Sequence, residues 1–360
     1  MFFWIFAILM TISIESMAAP STSSENIRRD YLNEIGMVCS FDKSFNGSMY
    51  MRIGEKQKIG AKLNAFGKHR KVIFYINGYG EDMNPNDGGA SLEYFYEFTK
   101  DLITDDRTIV CAFDFLHKEE IGELSGFADY RTVVMTRVPF VAKVIKNVAA
   151  EMFEKKVFQT FDEFQFIGFS LGTHIAGVTA RLIRTELGHE VARIFALDPA
   201  RTFVFAYENQ LKKSDAKYVQ AIFSSMLSQQ PIDVHCKIFI NDAAIQPGCE
   251  KMISITQMFC SHNFLPGFYM KIVRDGCKFI AHKDPDDNKF YTNVPNSMVI
   301  GHISQKNVQG VFFYNTDGSE IKKPRTWNLV GNFPISFGNV AAATKYVNQY
   351  LKQYRQFSQI

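Results

Sequence analysis

The sequence predicts an α/β protein built on a largely parallel sheet, and two patterns support this prediction. Short runs of almost continuously apolar residues, rich in Phe and Ile, are typical of strands buried on both faces of such a sheet. Longer stretches with helical spacing lie between these runs, which favours helices on both faces of one open sheet. The predicted strands are Lys71–Ile76, Thr108–Phe115, Phe164–Phe169, Arg193–Leu197, Tyr218–Phe223 and Cys236–Ile240, and the predicted helices are Ser91–Ile103, Thr132–Phe153 and Thr173–Leu187.

The composition is that of a globular protein with a large core. With 46% hydrophobic and 21% charged residues, the chain is neither disordered, collagenous nor a coiled coil. The net charge of +3 is too small to make nucleic acid the expected partner. No repeat or linker divides the chain, so we expect a single domain over residues 19–360. Residues 339–357 predict a C-terminal helix with one basic face, docked on the domain or, alternatively, pressed against an anionic lipid surface.

The first 18 residues predict a secretory signal peptide. Residues 2–14 are nearly all apolar, and small residues at Ser16 and Ala18 match a cleavage site after Ala18. The apolar run is shorter than a bilayer-spanning helix requires, although an uncleaved anchor is the alternative. We therefore expect a secreted, extracellular protein.

Secretion makes the cysteines informative, because disulfides form in oxidising compartments. An even number of cysteines fits three disulfides, and the pairing stays open on this reasoning. There is no Cys-x-x-Cys pair, so a structural metal site is not expected. Asn46-Gly47-Ser48 makes Asn46 a predicted N-glycosylation site. The six cysteines are Cys39, Cys111, Cys236, Cys249, Cys260 and Cys277.

The pentapeptide Gly168-Phe169-Ser170-Leu171-Gly172 is the feature that points to chemistry. It has the form GxSxG and lies where the predicted strand Phe164–Phe169 meets the predicted helix Thr173–Leu187, which is the setting of a nucleophile elbow. The glycines leave room for a sharp turn that lifts a serine hydroxyl clear of the sheet edge. Ser170 is therefore the predicted nucleophile, and the N–H of Leu171 is one predicted oxyanion donor.

A serine nucleophile needs a base and an acid that orients this base, and in this class of sheet both follow the serine. Asp198 ends the predicted strand Arg193–Leu197, so we expect its carboxylate at the same sheet edge, with a turn-capping aspartate as the alternative. His262 is the favoured base because a disulfide at Cys260 would pin the loop that carries it. By chain order alone, other histidines stay open as the base: His235, His282 and His302.

A second oxyanion donor is expected from the loop that follows an early strand. The sequence Asn77-Gly78-Tyr79 follows the predicted strand Lys71–Ile76 directly. Gly78 would let this loop approach a substrate closely, because glycine has no side chain to clash. The N–H of Tyr79 is therefore the predicted second donor.

Five short blocks occur together in one order along the chain, and the set is far more specific than any block alone. In these blocks the chain resembles the pancreatic lipase family, particularly its insect secreted lipases and venom phospholipases A1. The resemblance covers about residues 75–314 and implies an α/β-hydrolase fold. The blocks are Gly168–Gly177, Leu197–Ala200, Ser214–Val219, Gln246–Cys249 and Cys260–His262.

The resemblance also implies the roles of the site residues. Ser170 is the nucleophile, Asp198 its acid and His262 the base, and Tyr79 and Leu171 supply the N–H groups that bind the oxyanion. It implies hydrolysis of a lipid ester through an acyl-enzyme, at the surface of a membrane, micelle or droplet. No cofactor is expected.

The resemblance implies a disulfide pattern as well. In the family a disulfide flanks the lid over the active site, and this corresponds to Cys249 with Cys260. The next pair is Cys39 with Cys111, which leaves Cys236 with Cys277 as the third.

The length of the covering loops bears on the substrate. Only ten residues separate Cys249 from Cys260, and about seven separate Ser225 from Asp233 in the second covering loop. Within the family, short loops of this kind are typical of phospholipases A1, whereas triacylglycerol lipases have longer ones. A phospholipid substrate is therefore favoured over an acylglycerol.

Three further expectations follow from the resemblance. Asp215 matches one calcium ligand of mammalian lipases, but Gln210 and Lys212 stand at other ligand positions, so no metal is expected. The chain ends before the C-terminal β-sandwich of the family, so no colipase is expected. The alternative function is an inactive lipid-binding or yolk-type protein on the same fold, and the complete set of Ser170, Asp198 and His262 favours the enzyme.

Overall fold

The structure is a computed structural model that describes most of residues 35–319. The predicted signal peptide, Asn46, Cys277 and the predicted helix 339–357 lie outside the described residues. Among the described residues, no helix has both the length and the apolar character needed to cross a bilayer. The described residues are 35–43, 49–53, 63–64, 66–67, 71–79, 90–103, 105–115, 133–201, 208–228, 232–252, 254–275, 279–283, 296–300 and 308–319.

The described residues form one eleven-stranded sheet with helices packed on it. The helices are α1 (Ala90–Leu102), α2 (Val138–Glu154), α3 (Gly172–Leu187) and α4 (Ser254–Arg274), and a π-helical turn (Val133–Arg137) precedes α2. The strands are β1 (Gly36–Ser40), β2 (Met49–Arg52), β3 (Lys71–Ile76), β4 (Thr108–Asp114), β5 (Phe164–Phe169), β6 (Arg193–Leu197), β7 (Tyr218–Phe223), β8 (Cys236–Ile240), β9 (Ile280–Lys283), β10 (Ser297–Val299) and β11 (Gly310–Tyr314).

The centre of the sheet is parallel and its edges are antiparallel. The strand order is β10-β9-β11-β8-β7-β6-β5-β3-β4-β1-β2. The pairs from β4 through β11 run parallel, whereas β1 and β2 at one edge and β9 and β10 at the other pair antiparallel. The chain proceeds from β3 to β4 on one side and then crosses to β5 on the other side of β3. In open parallel sheets, ligands bind outside the carboxyl ends of the strands at such a reversal.

Helices cover both faces of this sheet, as predicted, and the fold class is confirmed. On one face α2 and α3 pack together on the sheet through residues such as Val141 and Ile175. On the other face α1 and α4 pack together through Phe95 and Phe268. Strand residues alternate between the two cores, so Phe74 lies in the first and Tyr75 in the second. Burial on both faces explains why these strands read as continuous apolar runs.

The predicted central elements match the observed ones within a few residues. Five of the six predicted strands have the observed bounds, and the sixth ends at Asp114 rather than Phe115. The predicted helix Thr132–Phe153 is a π-helical turn followed by α2, whose Pro139 lies in the first turn, where a missing N–H costs nothing. The edge strands β1, β2, β9 and β10, and strand β11, were not predicted.

Two of the three expected disulfides are present, and the third, between Cys236 and Cys277, stays a prediction. Cys39 and Cys111 are joined across the register pair of β1 and β4, and Cys249 is joined to Cys260. Cys236 is buried, and its Sγ lies 3.5 Å from the Met298 sulfur. Its strand β8 lies inside the sheet and directs this side chain into the core. Cys277 lies outside the described residues.

The two disulfides are expected to stabilise the fold unequally, because they close loops of different length. Cys39 and Cys111 are 72 residues apart and Cys249 and Cys260 only 11. In the chain-entropy account, removing the first pair by Cys39→Ala with Cys111→Ala lowers the free energy of unfolding by about 4 kcal/mol, and removing the second lowers it by about 3 kcal/mol. Urea unfolding of the two double variants measures both losses. A larger loss for the short loop would contradict the entropic account.

Candidate active site

The predicted site residues lie at the carboxyl edge of the sheet, around the reversal between β3 and β5. The loop after β3 carries Tyr79, the turn after β5 carries Ser170, and the end of β6 carries Asp198. His262 reaches the same edge from helix α4. Residues far apart in sequence therefore meet because parallel strands all end at one edge.

The turn at Ser170 has the strained backbone of a nucleophile elbow. Its φ is +53°, a left-handed conformation that is uncommon for residues other than glycine. Neighbouring strands hold this conformation, because Ser170 N–H donates to Leu197 O at 2.9 Å and Ala200 N–H donates to Ser170 O at 3.2 Å. Gly172 is required for packing, since a Cβ there would lie 2.0 Å from the carbonyl oxygen of Ile76. The elbow thus depends on direct contact between β3 and the start of α3.

Two backbone segments lie beside Ser170, the start of helix α3 and the loop after β3. The N–H of Leu171 enters no hydrogen bond within the described part of the chain, as expected at the first residues of a helix. The loop after β3 touches the elbow, since a Cβ on Gly78 would lie 3.2 Å from Ser170 Cβ. Tyr79 N–H follows one residue later, and its side chain is half-buried. Leu171 follows Ser170 directly and the loop that carries Tyr79 touches the elbow at Gly78, and the role of both N–H groups as oxyanion donors stays a prediction.

Asp198 and His262, 64 residues apart in the chain, form a buried pair. Imidazole Nδ1 lies 2.5 Å from the carboxylate oxygen Oδ2, and since a carboxylate accepts, the Nδ1–H donates. This bond leaves Nε2 of His262 as the nitrogen that can accept a proton. The His262 ring also packs against Phe169, with ring centroids 4.7 Å apart. Phe169 immediately precedes Ser170, so this contact brings the imidazole to the elbow.

Four donors surround the carboxylate of Asp198, which is fully buried. Oδ1 accepts from the backbone N–H groups of Ser224 at 2.5 Å and Ser225 at 3.1 Å. Oδ2 accepts from His262 and from the hydroxyl of Ser225 at 2.5 Å. A buried charge is tolerated only when it is satisfied in this way, so these bonds stabilise the negative carboxylate at the site. The carboxylate thus binds the backbone of the turn after β7 through Oδ1 and an imidazole through Oδ2.

His262 lies on helix α4, not on a loop, so the expectation of a loop-borne histidine is wrong. The helix begins at Ser254, inside the segment closed by the disulfide between Cys249 and Cys260. The position of His262 therefore follows from helix packing as well as from the disulfide. Hydrogen bonds from the ends of β7 and the loop after β8 hold this turn of the helix, at Ser261.

Gln246 is the centre of those hydrogen bonds and is fully buried. Its side-chain amide donates to Ser224 O and to Ile240 O, each at 2.8 Å. Its backbone N–H donates to Ser261 Oγ at 3.1 Å, and Ser224 Oγ donates to Ser261 O at 2.9 Å. Ser224 also binds Asp198, so one network holds the acid and the helix that carries His262.

No hydrogen bond joins Ser170 Oγ to His262 among the contacts of the described residues. The two residues meet through Phe169, and the hydroxyl is nearly buried, with the serine 7% exposed. Catalytic hydrogen bonds of this type often shorten only when a substrate is bound.

His174 lies on α3, one turn beyond Ser170, and serves the structure of the elbow. Its Nδ1 accepts from Leu211 N–H at 3.1 Å, and its Nε2 donates to Ala200 O at 2.6 Å. Ala200 in turn binds the carbonyl of Ser170. Burial lowers the pKa of His174 to about 4, so the imidazole stays neutral and keeps both roles at physiological pH.

Asp215, the one match to a calcium ligand, is already paired with an internal cation. Both carboxylate oxygens accept from Arg181, at 3.0 Å each, and the same guanidinium donates to the carbonyls of Glu208 and Gln210. These oxygens are the ones a calcium ion would need, and a guanidinium directed at them leaves no fit for the metal. Burial raises the pKa of Asp215, and Arg181 opposes this effect.

The sequence analysis missed the polar residues behind Asp198 and His262. Ser224 and Ser225 follow β7 directly, and β7 lies beside β6 in the sheet. These two serines could have been predicted as partners of Asp198, because parallel neighbouring strands end at the same edge of the sheet. No sequence pattern predicts the hydrogen bonds of Gln246, because they depend on how the loop after β8 packs against the end of β7 and helix α4.

The comparison with known proteins identifies the family. A family model described as Lipase matches residues 42–294, and the chain belongs to this family. Rat (Rattus norvegicus) lipase member H is 30% identical over 169 residues, which are 45% of this chain and 36% of that protein. Phospholipase A1 2 of the hornet Dolichovespula maculata is 27% identical over 257 residues, 69% of this chain and 76% of that protein. The expected relation to the pancreatic lipases is confirmed.

The coverage of these relatives is uneven. Zebrafish (Danio rerio) lipase member H is 38% identical over 122 residues, which are 32% of this chain and 26% of that protein. The chain thus matches about a third of the length of the lipase member H proteins. It matches about three quarters of the hornet phospholipase.

The neutral His174 predicts an acid-sensitive fold. The folded protein resists protonation of His174 until about pH 4, whereas an unfolded histidine takes up its proton near pH 6.5. The contribution of His174 to the free energy of unfolding is therefore fully present above about pH 6.5. It falls by about 3 kcal/mol as the pH drops toward 4. Urea unfolding at pH 7 and pH 4 should show a smaller fall for His174→Gln than for the wild type. His189→Gln is the control, and an equal fall in all three proteins would disprove the assignment.

Proposed function

We propose that this chain is a secreted serine esterase that hydrolyses a carboxylic ester of a lipid through an acyl-enzyme. The observation that supports it most is the buried hydrogen bond between Asp198 and His262 at the edge that carries the Ser170 elbow. The predicted signal peptide and two disulfides support secretion. The family and its phospholipase A1 members support a lipid ester as the substrate.

The first half of the reaction acylates Ser170. Its Oγ attacks the ester carbonyl carbon while the hydroxyl proton passes to Nε2 of His262. Asp198 keeps the imidazole in the tautomer that exposes Nε2 and stabilises the imidazolium. When the tetrahedral intermediate collapses, the bond to the alcohol breaks, and the leaving oxygen takes the proton from His262.

The second half releases the fatty acid. Water attacks the acyl carbonyl and gives a proton to His262, and the bond between the acyl carbon and Ser170 Oγ breaks with return of this proton. In both halves the negative oxygen lies against the N–H groups of Leu171 and Tyr79. Oxyanion donors of this kind contribute about 100-fold to 1,000-fold to the rate.

The short lid supports a phospholipid as the substrate class, and hence an activity of the phospholipase A1 type. The disulfide between Cys249 and Cys260 closes it, and the amide of Gln257 donates to the carbonyls of Cys249 and Glu250 at 3.2 and 3.3 Å. The second half of the lid is the start of helix α4. A lid this short, folded back on its own helix, leaves little chain to cover a cleft, so a charged head group can remain in solvent.

Covalent labelling with a fluorophosphonate tests the nucleophile. We expect the wild type to label and to release fatty acid, and Ser170→Ala to lose both labelling and at least about 1,000-fold in kcat, because no other hydroxyl lies on the elbow. Ser297→Ala, at an exposed serine on edge strand β10, is the matched control and should label normally. Absence of labelling in the wild type would favour the inactive lipid-binding alternative.

The substrate class is tested by offering two lipids side by side. Fatty-acid release from phosphatidylcholine vesicles is expected to exceed release from emulsified triolein by about tenfold or more in kcat/KM, since an open cleft accepts the charged head group. Identification of the released chain by mass spectrometry on a mixed-chain phosphatidylcholine shows which acyl position is cut. Dominant hydrolysis of triolein would contradict the argument from the lid.

A further inference from the structure

The hydroxyl of Ser225 lies against the acid of the proposed triad. We infer that Ser225 is a positioning residue that fixes and partly neutralises the Asp198 carboxylate, and this inference rests on the proposed function. Ser225 is fully buried at the end of β7, and neither its side chain nor the turn that follows it has a place in the reaction described above. Its contacts all concern the carboxylate or its own turn.

The Ser225 hydroxyl and the imidazole of His262 bind the same carboxylate oxygen of Asp198. Ser225 Oγ lies 2.5 Å from Asp198 Oδ2, and Nδ1 of His262 lies 2.5 Å from the same atom. The other oxygen, Oδ1, binds only backbone N–H groups among the described contacts. Ser225 is therefore the one side chain besides the imidazole that competes for the charge on Oδ2 in the described residues.

The direction of this hydrogen bond is fixed by a second contact. The N–H of Leu227 donates to Ser225 Oγ at 3.2 Å, so the serine oxygen acts as an acceptor on that side. The hydroxyl proton is then left to point at Asp198, which as a carboxylate can only accept. The bond is thus charge-assisted, the strong class of hydrogen bond.

The turn that carries Ser225 is tied back to the chain after Asp198. Ser228 donates its N–H and its hydroxyl to the carbonyl of Ser225. Ser228 also forms a bridge with Ala200, and Arg201 N–H donates to Leu227 O at 3.2 Å. The hydroxyl is thus held at one point, and it prevents rotation of the carboxylate away from His262.

Removal of the hydroxyl should therefore have two effects. The carboxylate loses one of its four donors and gains freedom to rotate, which lowers the rate of the chemical step. More negative charge then remains on Oδ2, so the protonated imidazole is held more strongly and a higher pH is needed to free Nε2. The acid limb of the pH profile should move to higher pH, whereas KM should not change, because the Ser225 side chain is fully buried and does not reach a substrate in solvent.

The experiment measures kcat, KM and the pH profile of kcat/KM for Ser225→Ala and Ser228→Ala, with a soluble short-chain ester. For Ser225→Ala we expect kcat to fall about tenfold at constant KM and the midpoint of the acid limb to rise by about half a pH unit. Ser228→Ala removes a hydroxyl of the same turn that bonds a carbonyl and not the carboxylate. Ser228→Ala should leave the midpoint of the acid limb at the wild-type pH.

Rescue separates positioning from folding. Ser225→Thr keeps the hydroxyl and should restore the wild-type midpoint, whereas Ser225→Cys keeps the shape with a weaker donor and should resemble Ser225→Ala. If Ser225→Ala melts below the assay temperature, Ser225→Cys gives the same comparison. Equal midpoints in all four variants and the wild type would overturn the inference. An unlabelled and inactive wild type would instead overturn the proposed function.

Discussion

The constraint on which the site depends is the burial of one carboxylate. Asp198 is fully buried, and an ion removed from water is stable only when its oxygens are bonded. Donors come from the end of β7 and from helix α4, so these elements must dock at the end of β6 before the charge is satisfied. The same docking brings the imidazole of His262 to the elbow. The contacts that satisfy the buried carboxylate are therefore the same contacts that assemble the site.

The sheet supplies the other half of this assembly. Because β3 and β5 are neighbouring parallel strands, the loop after β3 and the turn after β5 lie side by side. The contact is so close that a Cβ on residue Gly172 would clash with the backbone of Ile76. The positive φ of Ser170 is held by backbone bonds to the loops after β6, which also carry the acid. The backbone strain at Ser170 is thus held by a packed interface.

The sequence was most informative where one physical rule acts alone. Strands buried on both faces are apolar throughout, so Phe164–Phe169 and Arg193–Leu197 were predicted with their observed bounds. The helical position of His262 was missed because the disulfide suggested a loop, although the spacing of Phe264, Leu265 and Phe268 fits a helix. The roles of Ser225 and Gln246 depend on tertiary contacts that no local pattern encodes.

The most direct measurement of the central claim is a crystal structure of the protein after reaction with a small fluorophosphonate. The account predicts phosphorus bonded to Ser170 Oγ, with its oxygen about 2.7–3.1 Å from the N–H groups of Leu171 and Tyr79 and with the imidazole still bonded to Asp198. A phosphorus atom on any other residue, or an oxygen turned away from both N–H groups, would contradict it.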